Sequence, residues 1–339
     1  MEKIGIVTIT YNSADVLVPF LKCIWDQSYQ NFILYVIDNA STDSTLQILE
    51  EEQDSRLRLI KNEINSGVAR ANNQGIKGAI KEGCNQILII NNDVEFEDAL
   101  IERLLQVQSD KNCSLISPKM MFYHNKDVIW YAGSWFIKSK GFLPLHRGMG
   151  EIDKGRYDEI KKIEYAPTCC LLAKKEIFED IGFMDEKYFV YFDDTDFSYR
   201  IHKDGRHKMY YVPNIKFYHK VGSLTKSFKT VEKKVYRSDF FLKQTIRNHI
   251  YFLKKIGGIF AYAFIFWLFF KNNIRFIINP KIQKDFKTWQ LITRAYFEGL
   301  FLYFFANNNR ICKNFSNYYL SNRISSMNRV AKARLAICY

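Results

Sequence analysis

The chain has 339 residues, enough to bury a full α/β core and carry a second, smaller unit. Its net charge of +13 is uneven: residues 1–239 hold 33 Lys+Arg against 34 Asp+Glu, and residues 240–339 hold 16 against 2. Seven cysteines, an odd number with no Cys-x-x-Cys spacing, argue against a disulfide framework or zinc knuckle and for a reducing compartment.

Met-Glu-Lys-Ile-Gly-Ile-Val enters a strand at once and leaves no room for a signal peptide. Lys3 to Thr10 reads as that first strand, ending at Tyr11-Asn12-Ser13, a turn with a helix-capping residue. A helix follows over Val16 to Gln27, with Leu17, Phe20, Leu21 and Ile24 spaced for one face. Phe32 to Ile37 is a second strand, closed by Asp38-Asn39-Ala40-Ser41-Thr42-Asp43, which caps a helix over Thr45 to Glu52. A third strand runs from Leu57 to Ile60, and Asn65-Ser66-Gly67 opens a helix reaching Ile80. Ile87 to Ile90, apolar and mostly β-branched, fits a strand buried on both faces and stops at Asn91-Asn92-Asp93.

Strand and helix alternate, which predicts a mostly parallel sheet flanked by helices. Three strands then end in polar groups on one edge, where open α/β sheets bind ligands. Taken singly, Asn-Asn-Asp is also ordinary turn chemistry. No Gly-x-Gly-x-x-Gly follows the first strand and no Walker Gly-Lys-Ser/Thr occurs, which excludes the usual dinucleotide and P-loop sites.

Lys126 to Lys162, rich in Gly, Trp, Tyr and Lys, reads as a substrate-facing insertion, and Glu164 to Ala173 as strand-like. Four aromatics in five residues, Tyr188 to Phe192, precede Asp193-Asp194-Thr195-Asp196, which opens a helix through Ile201. Acids in a first helical turn favour the helix dipole. Three in four residues exceed what a cap needs and offer a base with a raised pKa. Lys208 to Val212 and Ile215 to Tyr218 read as strands, the second ending at His219.

With these stretches in order, the chain resembles the family 2 inverting glycosyltransferases of GT-A fold, in particular their bacterial rhamnosyltransferase-like branch. The resemblance rests on Val7-Thr8-Ile9-Thr10-Tyr11-Asn12, Val36 to Asp43, Asn65 to Asn73, Asn91-Asn92-Asp93-Val94, Gly182 to Glu186, Phe192 to Asp196, and His219 with Gly222-Ser223. It covers roughly residues 3–225. The resemblance implies that Thr10, Tyr11, Asn12, Asp38 and Asn39 hold the nucleotide of a nucleotide-diphospho-sugar, with Asn65, Gly67, Arg70 and Asn91 nearby. It implies that Asp93 binds a divalent cation, Mg2+ or Mn2+, with His219 completing the metal shell. Asp194 matches the catalytic base, and Asp193 and Asp196 would position the acceptor or the base. Asn91 replaces the first acid of the Asp-x-Asp element and removes one charge from the metal site.

The expected organisation is a catalytic domain over residues 1–239 and a basic, aromatic-rich helical region over 240–339. Ile256 to Phe270 is apolar and flanked by Lys254-Lys255 and Lys271. Fifteen helical residues reach about 22 Å, short of the roughly 30 Å hydrocarbon core, so a spanning helix is not expected. Leu300 to Ala306 is a shorter apolar run. Such segments suit an anionic membrane surface, or a homodimer contact. Basic residues alternate with large apolar ones and form no polar face, so nucleic acid is not an expected partner. Gln244-Thr245-Ile246-Arg247-Asn248 resembles the Gln-x-x-Arg-Trp signature of processive synthases but ends in Asn, which favours transfer of single sugars. The expected enzyme works at the cytoplasmic face of the membrane on a lipid-linked or oligosaccharide acceptor, with dTDP-rhamnose as donor. The alternatives are a UDP-sugar donor, galactofuranosyl or hexosyl, and a catalytically silent nucleotide-sugar- or glycan-binding subunit.

Overall fold

Strands and helices alternate through the first hundred residues of the computed structural model, which describes residues 2–220, 228–231, 234–278 and 286–305. In order these are β1 (Ile4–Thr10), α1 (Ala14–Trp25), β2 (Phe32–Asp38), α2 (Thr45–Glu51), β3 (Leu57–Lys61), α3 (Val68–Lys81), β4 (Gln86–Ile90), β5 (Val94–Phe96) and α4 (Leu100–Asp110). Then follow β6 (Leu115–Phe122), β7 (Asn125–Tyr131), β8 (Ser134–Ile137), β9 (Leu143–His146), β10 (Lys161–Lys162), β11 (Cys170–Lys174), α5 (Lys175–Ile181), α6 (Asp193–Asp204) and β12 (Met209–His219). Gly222-Ser223, Ala306, Cys312 and Cys338 lie outside the described residues, and the other five cysteines are free.

The main sheet has the order β10-β12-β6-β11-β4-β1-β2-β3, with β5 on β12 and β7 on β6. Its β3-β2-β1-β4 half is parallel throughout. β2 and β4 are buried along their whole length, which is why they read as continuous apolar runs. Past β4 the sheet turns mixed: β11 runs antiparallel to both β4 and β6. α3 lies close to β1 and β2 because its small residues permit it. A Cβ on Gly75 would fall 2.5 Å from Val7 and 2.7 Å from Ile37.

Two strand expectations change, and proline explains both. The strand expected over Glu164 to Ala173 begins only at Cys170, since Pro167 offers no N–H to a ladder. The freed segment carries Tyr165, Thr168 and Cys169. The two strands expected on either side of Pro213-Asn214 form one strand, β12, with its register slipping between Val212 and Lys216.

Chain contacts divide the molecule into two units. The first comprises residues 1–136, 144–189 and 193–225, and the second 137–143, 190–192 and 226–339. The second holds a strand pair, β13 (Phe228–Val231) with β14 (Lys234–Arg237), then α7 (Asp239–Ile256), α8 (Gly258–Ile278) and α9 (Phe286–Phe305). Ile246, Ile250 and Leu253 of α7 pack with Ala261 and Ile265 of α8 and with Ile292, Ala295 and Tyr296 of α9.

α8 corrects the expectation of a fifteen-residue apolar segment too short to span. It has 21 residues, about 31 Å of helix, because Lys271 ends the apolar run without ending the helix. Among the described residues it alone is long and apolar enough to cross a membrane by length and composition. Leu300 to Phe305, the described part of the second apolar run, continues α9.

Candidate active site

The site lies where the parallel strands end. Thr10 and Asp38 face each other across β1 and β2, and the Thr10 hydroxyl donates to Asp38 Oδ1 at 2.8 Å. Asp38 Oδ2 accepts the Ser41 N–H at 2.9 Å, and the Ser41 hydroxyl donates to Oδ1. Both Thr10 and Asp38 are fully buried. Their side chains therefore shape the two loops, and Tyr11 and Asn12 lie nearer the surface.

Asn12 takes a left-handed backbone, φ +52°, tolerable because a short amide can bond locally. Its side-chain oxygen accepts the Thr42 N–H at 2.8 Å and its own N–H donates to the Ser41 hydroxyl at 2.9 Å, tying the ends of β1 and β2 together. Asn39 is buried and joins three segments: its amide donates to Gly67 O at 3.3 Å, and its oxygen accepts from Asn62 at 2.9 Å and Ser66 at 3.1 Å. Asn65 Oδ1 accepts the Gly67 N–H at 3.0 Å. Gly67 has φ +84°, and a Cβ there would meet Phe189 O at 2.5 Å, so only glycine fits. Arg70 is exposed, 4.0 Å from Glu186.

At the end of β4 the chain turns into β5, which pairs with β12 and sets His219 opposite Val94. That register brings His219 Nε2 to 3.3 Å from Asp93 Oδ1, joining two residues 126 positions apart. Burial opposes the imidazolium, but Cys169 and Asp93 outweigh it and raise the His219 pKa to about 10. Asn91 Nδ2 lies 3.6 Å from Cys169 Sγ. The Cys169 sulfur, in the segment that Pro167 frees, interacts with His219, Asp93 and Asp194 alike.

Asp193 and Asp194 open α6, Asp193 buried and Asp194 half-buried. Burial pushes Asp193 well above the carboxylate range, and the Asp194 charge adds to it. Burial also raises Asp194, while hydrogen bonds from Tyr165, Thr195 and the Thr168 backbone oppose the rise. Tyr165 donates to Asp194 Oδ2 at 2.8 Å, a contact that no sequence signal marked. Asp196 is held by Arg200 at 2.9 Å, and Arg200 donates in turn to Ile181 O and Phe183 O, each at 2.7 Å. Asp196 thus braces the segment between α5 and α6.

In the second unit, Asn248 departs from the Gln-x-x-Arg-Trp pattern for a visible reason. Its amide donates to Val190 O and Tyr191 O, both at 2.8 Å. Tyr191 and Phe192 hold φ of +65° and +69°, a costly backbone for bulky residues that must be held from outside.

Among the described residues, no three His, Cys, Asp or Glu side chains gather closely enough to hold a metal alone. Asp93 and His219 would offer one oxygen and one nitrogen to such an ion, with its other ligands coming from outside the chain. That donor set fits a divalent cation shared with a diphosphate.

The model of the family described as Glycosyl transferase family 2 matches residues 5–182. The chain is 24% identical over 210 residues to the low-salt glycan biosynthesis hexosyltransferase Agl10 of Haloferax volcanii, covering 60% of this chain and 63% of that protein. It is 25% identical over 226 residues to the dTDP-rhamnosyl transferase RfbF of Shigella flexneri, covering 65% of this chain and 70% of that one. The chain thus spans somewhat under two thirds of the length of the first of these relatives. Among solved structures it is similar in fold to the mannosyltransferase PcManGT from Pyrobaculum calidifontis, with a TM-score of 0.52 and 14% identity over 88% of this chain and 87% of that chain. With more than half of its length matched by the family model, the chain belongs to glycosyl transferase family 2.

Proposed function

We propose that the protein moves one sugar from a nucleotide-diphospho-sugar to a lipid-linked or growing cell-surface glycan, with inversion at the anomeric carbon. The observation that carries this reading is the Asp93–His219 pair, 3.3 Å apart where β4 ends and β5 pairs with β12. Tyr11 and Asn12, on the loop after β1, and Arg70, in the first turn of α3, would receive the nucleotide. When bound by Asp93 and His219, a divalent cation would neutralise the charge developing on the departing diphosphate. Asp194 then accepts the proton of the acceptor hydroxyl as its oxygen bonds to C1, and the bond from C1 to the diphosphate breaks on the opposite face. Burial raises the Asp194 pKa above the ordinary carboxylate value, which makes its carboxylate a stronger base.

Similarity to the rhamnosyl transferase RfbF supports dTDP-rhamnose as the donor, and similarity to the hexosyltransferase Agl10 supports a hexosyl donor as the alternative. PcManGT was solved with GDP-Man and Mn2+, which supports a metal-bound nucleotide-sugar. We place the enzyme at the cytoplasmic membrane surface because α8 exposes Ile259, Phe260, Phe266 and Ile277 in a strongly basic region.

The test is donor binding and turnover across dTDP- and UDP-sugars, with and without Mg2+ or Mn2+, for the wild type and Asp194→Asn. The expected result is one metal-dependent donor whose turnover falls about 10²–10⁴-fold in the variant while binding is kept. Donor binding with no turnover by the wild type would overturn the transferase reading in favour of a silent subunit.

A further inference from the structure

Tyr165 lies in the segment that Pro167 keeps out of the sheet, and its hydroxyl donates to Asp194 Oδ2 at 2.8 Å. The phenol is itself held from several sides. Its backbone carbonyl accepts from the Tyr131 hydroxyl at 2.7 Å. The His146 ring stacks on it at 5.8 Å and 27°, and Phe136 meets it edge-on at 6.4 Å. Only 5% of Tyr165 is exposed. A ring so confined cannot swing to follow Asp194, so the carboxyl must orient to the ring. The other carboxyl oxygen, Oδ1, accepts from the Thr195 hydroxyl beside it on α6, at 3.2 Å.

We infer that Tyr165 is a positioning residue for the base: its hydroxyl pins Asp194 Oδ2 and leaves Oδ1 to receive the proton of the acceptor hydroxyl. The inference rests on Asp194 being the base. A donor on a carboxylate favours the charged form and so works against the burial of the pair. The other groups facing Asp194 are Asp193 on its own helix, the Cys169 thiol, and the Thr168 and Thr195 N–H groups. None of them needs to move when the Tyr165 hydroxyl is removed.

The experiment uses the full chain labelled with [γ-13C]aspartate, the Asp194 resonance being identified by its loss in Asp194→Asn. In Tyr165→Phe its titration midpoint should rise by about one pH unit, since a charge-assisted hydrogen bond has been removed. The acid limb of kcat should rise with it, and KM for the donor should change less than about two-fold. Placing 3-fluorotyrosine at position 165 keeps the ring and strengthens the donor, so the midpoint should fall. Tyr211→Phe is the control: that buried phenol donates to Tyr157 O at 3.1 Å, away from Asp194, and its loss should leave the midpoint in place. A midpoint unmoved by both changes at Tyr165, beside an inactive Asp194→Asn, would overturn the positioning role alone. Normal turnover in Asp194→Asn would overturn the base reading, and this role with it.

Discussion

Asn73 of α3 and Met184, after α5, bond each other twice. The Asn73 amide donates to Met184 O at 2.9 Å, and the Met184 N–H donates to Asn73 Oδ1 at 3.0 Å. One side chain thus acts as a strand partner would, and joins two stretches 111 residues apart that each looked like a short motif. Asn73 also donates to Glu186 Oε1 at 3.0 Å.

Asn73→Ala should therefore cost about 2–4 kcal/mol in urea unfolding, because two buried backbone groups lose their partner at once. Asn73→Asp keeps the acceptor for the Met184 N–H but sets a buried carboxylate against Met184 O and Glu186, and should cost at least as much at pH 7. A cost under about 0.5 kcal/mol for Asn73→Ala would show that water replaces the amide.

Gly67→Ala tests the turn that leads into α3. The new Cβ must avoid Phe189 O while the backbone stays at φ +84°. The expected loss is about 1–3 kcal/mol, with weaker donor binding read by calorimetry.

Asp193 has a pH-dependent stability effect whose sign is fixed by its raised folded-state pKa. Below the ordinary aspartate pKa, near 4, folded and unfolded states are both protonated and the residue is neutral to stability. As pH rises, the unfolded state gives up the proton first, and stability is lost until the folded-state pKa is passed. Asp193→Asn should match the wild type in melting temperature near pH 4 and exceed it at pH 7–8. Equal melting temperatures across that range would show that Asp193 ionises freely in the fold.

Lys119 is fully buried on β6, its ammonium 3.0 Å from Asp153 and bonded to Asp158, while Lys216 reaches Asp153 at 2.7 Å. Burial pushes the Asp153 carboxyl up, but Lys216 and Lys119 outweigh it and hold its pKa below the usual range. Removing one partner of a buried pair leaves the other uncompensated, so Asp153→Ala should cost about 3–5 kcal/mol at pH 7. The cost should shrink as pH falls below about 4, where the wild-type carboxyl also loses its charge. Lys119→Met leaves Asp153 with Lys216 alone, and should also destabilise in the same melts, by less than Asp153→Ala.

Membrane attachment is read by co-sedimentation with vesicles. The wild type should pellet with anionic vesicles and much less with zwitterionic ones. Phe260→Glu/Phe266→Glu should stay in solution, since both side chains are mostly exposed on α8. Release of the bound wild type by alkaline carbonate is expected of a peripheral helix, and retention would make α8 a span.

The order of elements was legible from periodicity, because β2 and β4 are buried throughout and the helices between them carry one apolar face. The acids at their ends were legible for the same reason: a polar residue closing a buried strand has to emerge at the sheet edge. Chain order said nothing of β11 entering antiparallel between β4 and β6, since strand neighbours far apart in sequence are chosen by packing. Only the tertiary structure set His219 against Asp93, through the pairing of β5 with β12, and only it put Tyr165 on Asp194. Local sequence determines which residues are buried and where each element stops. Which polar groups meet is decided by the register between distant strands, and a shift of one residue would point each of them to the other face of the sheet.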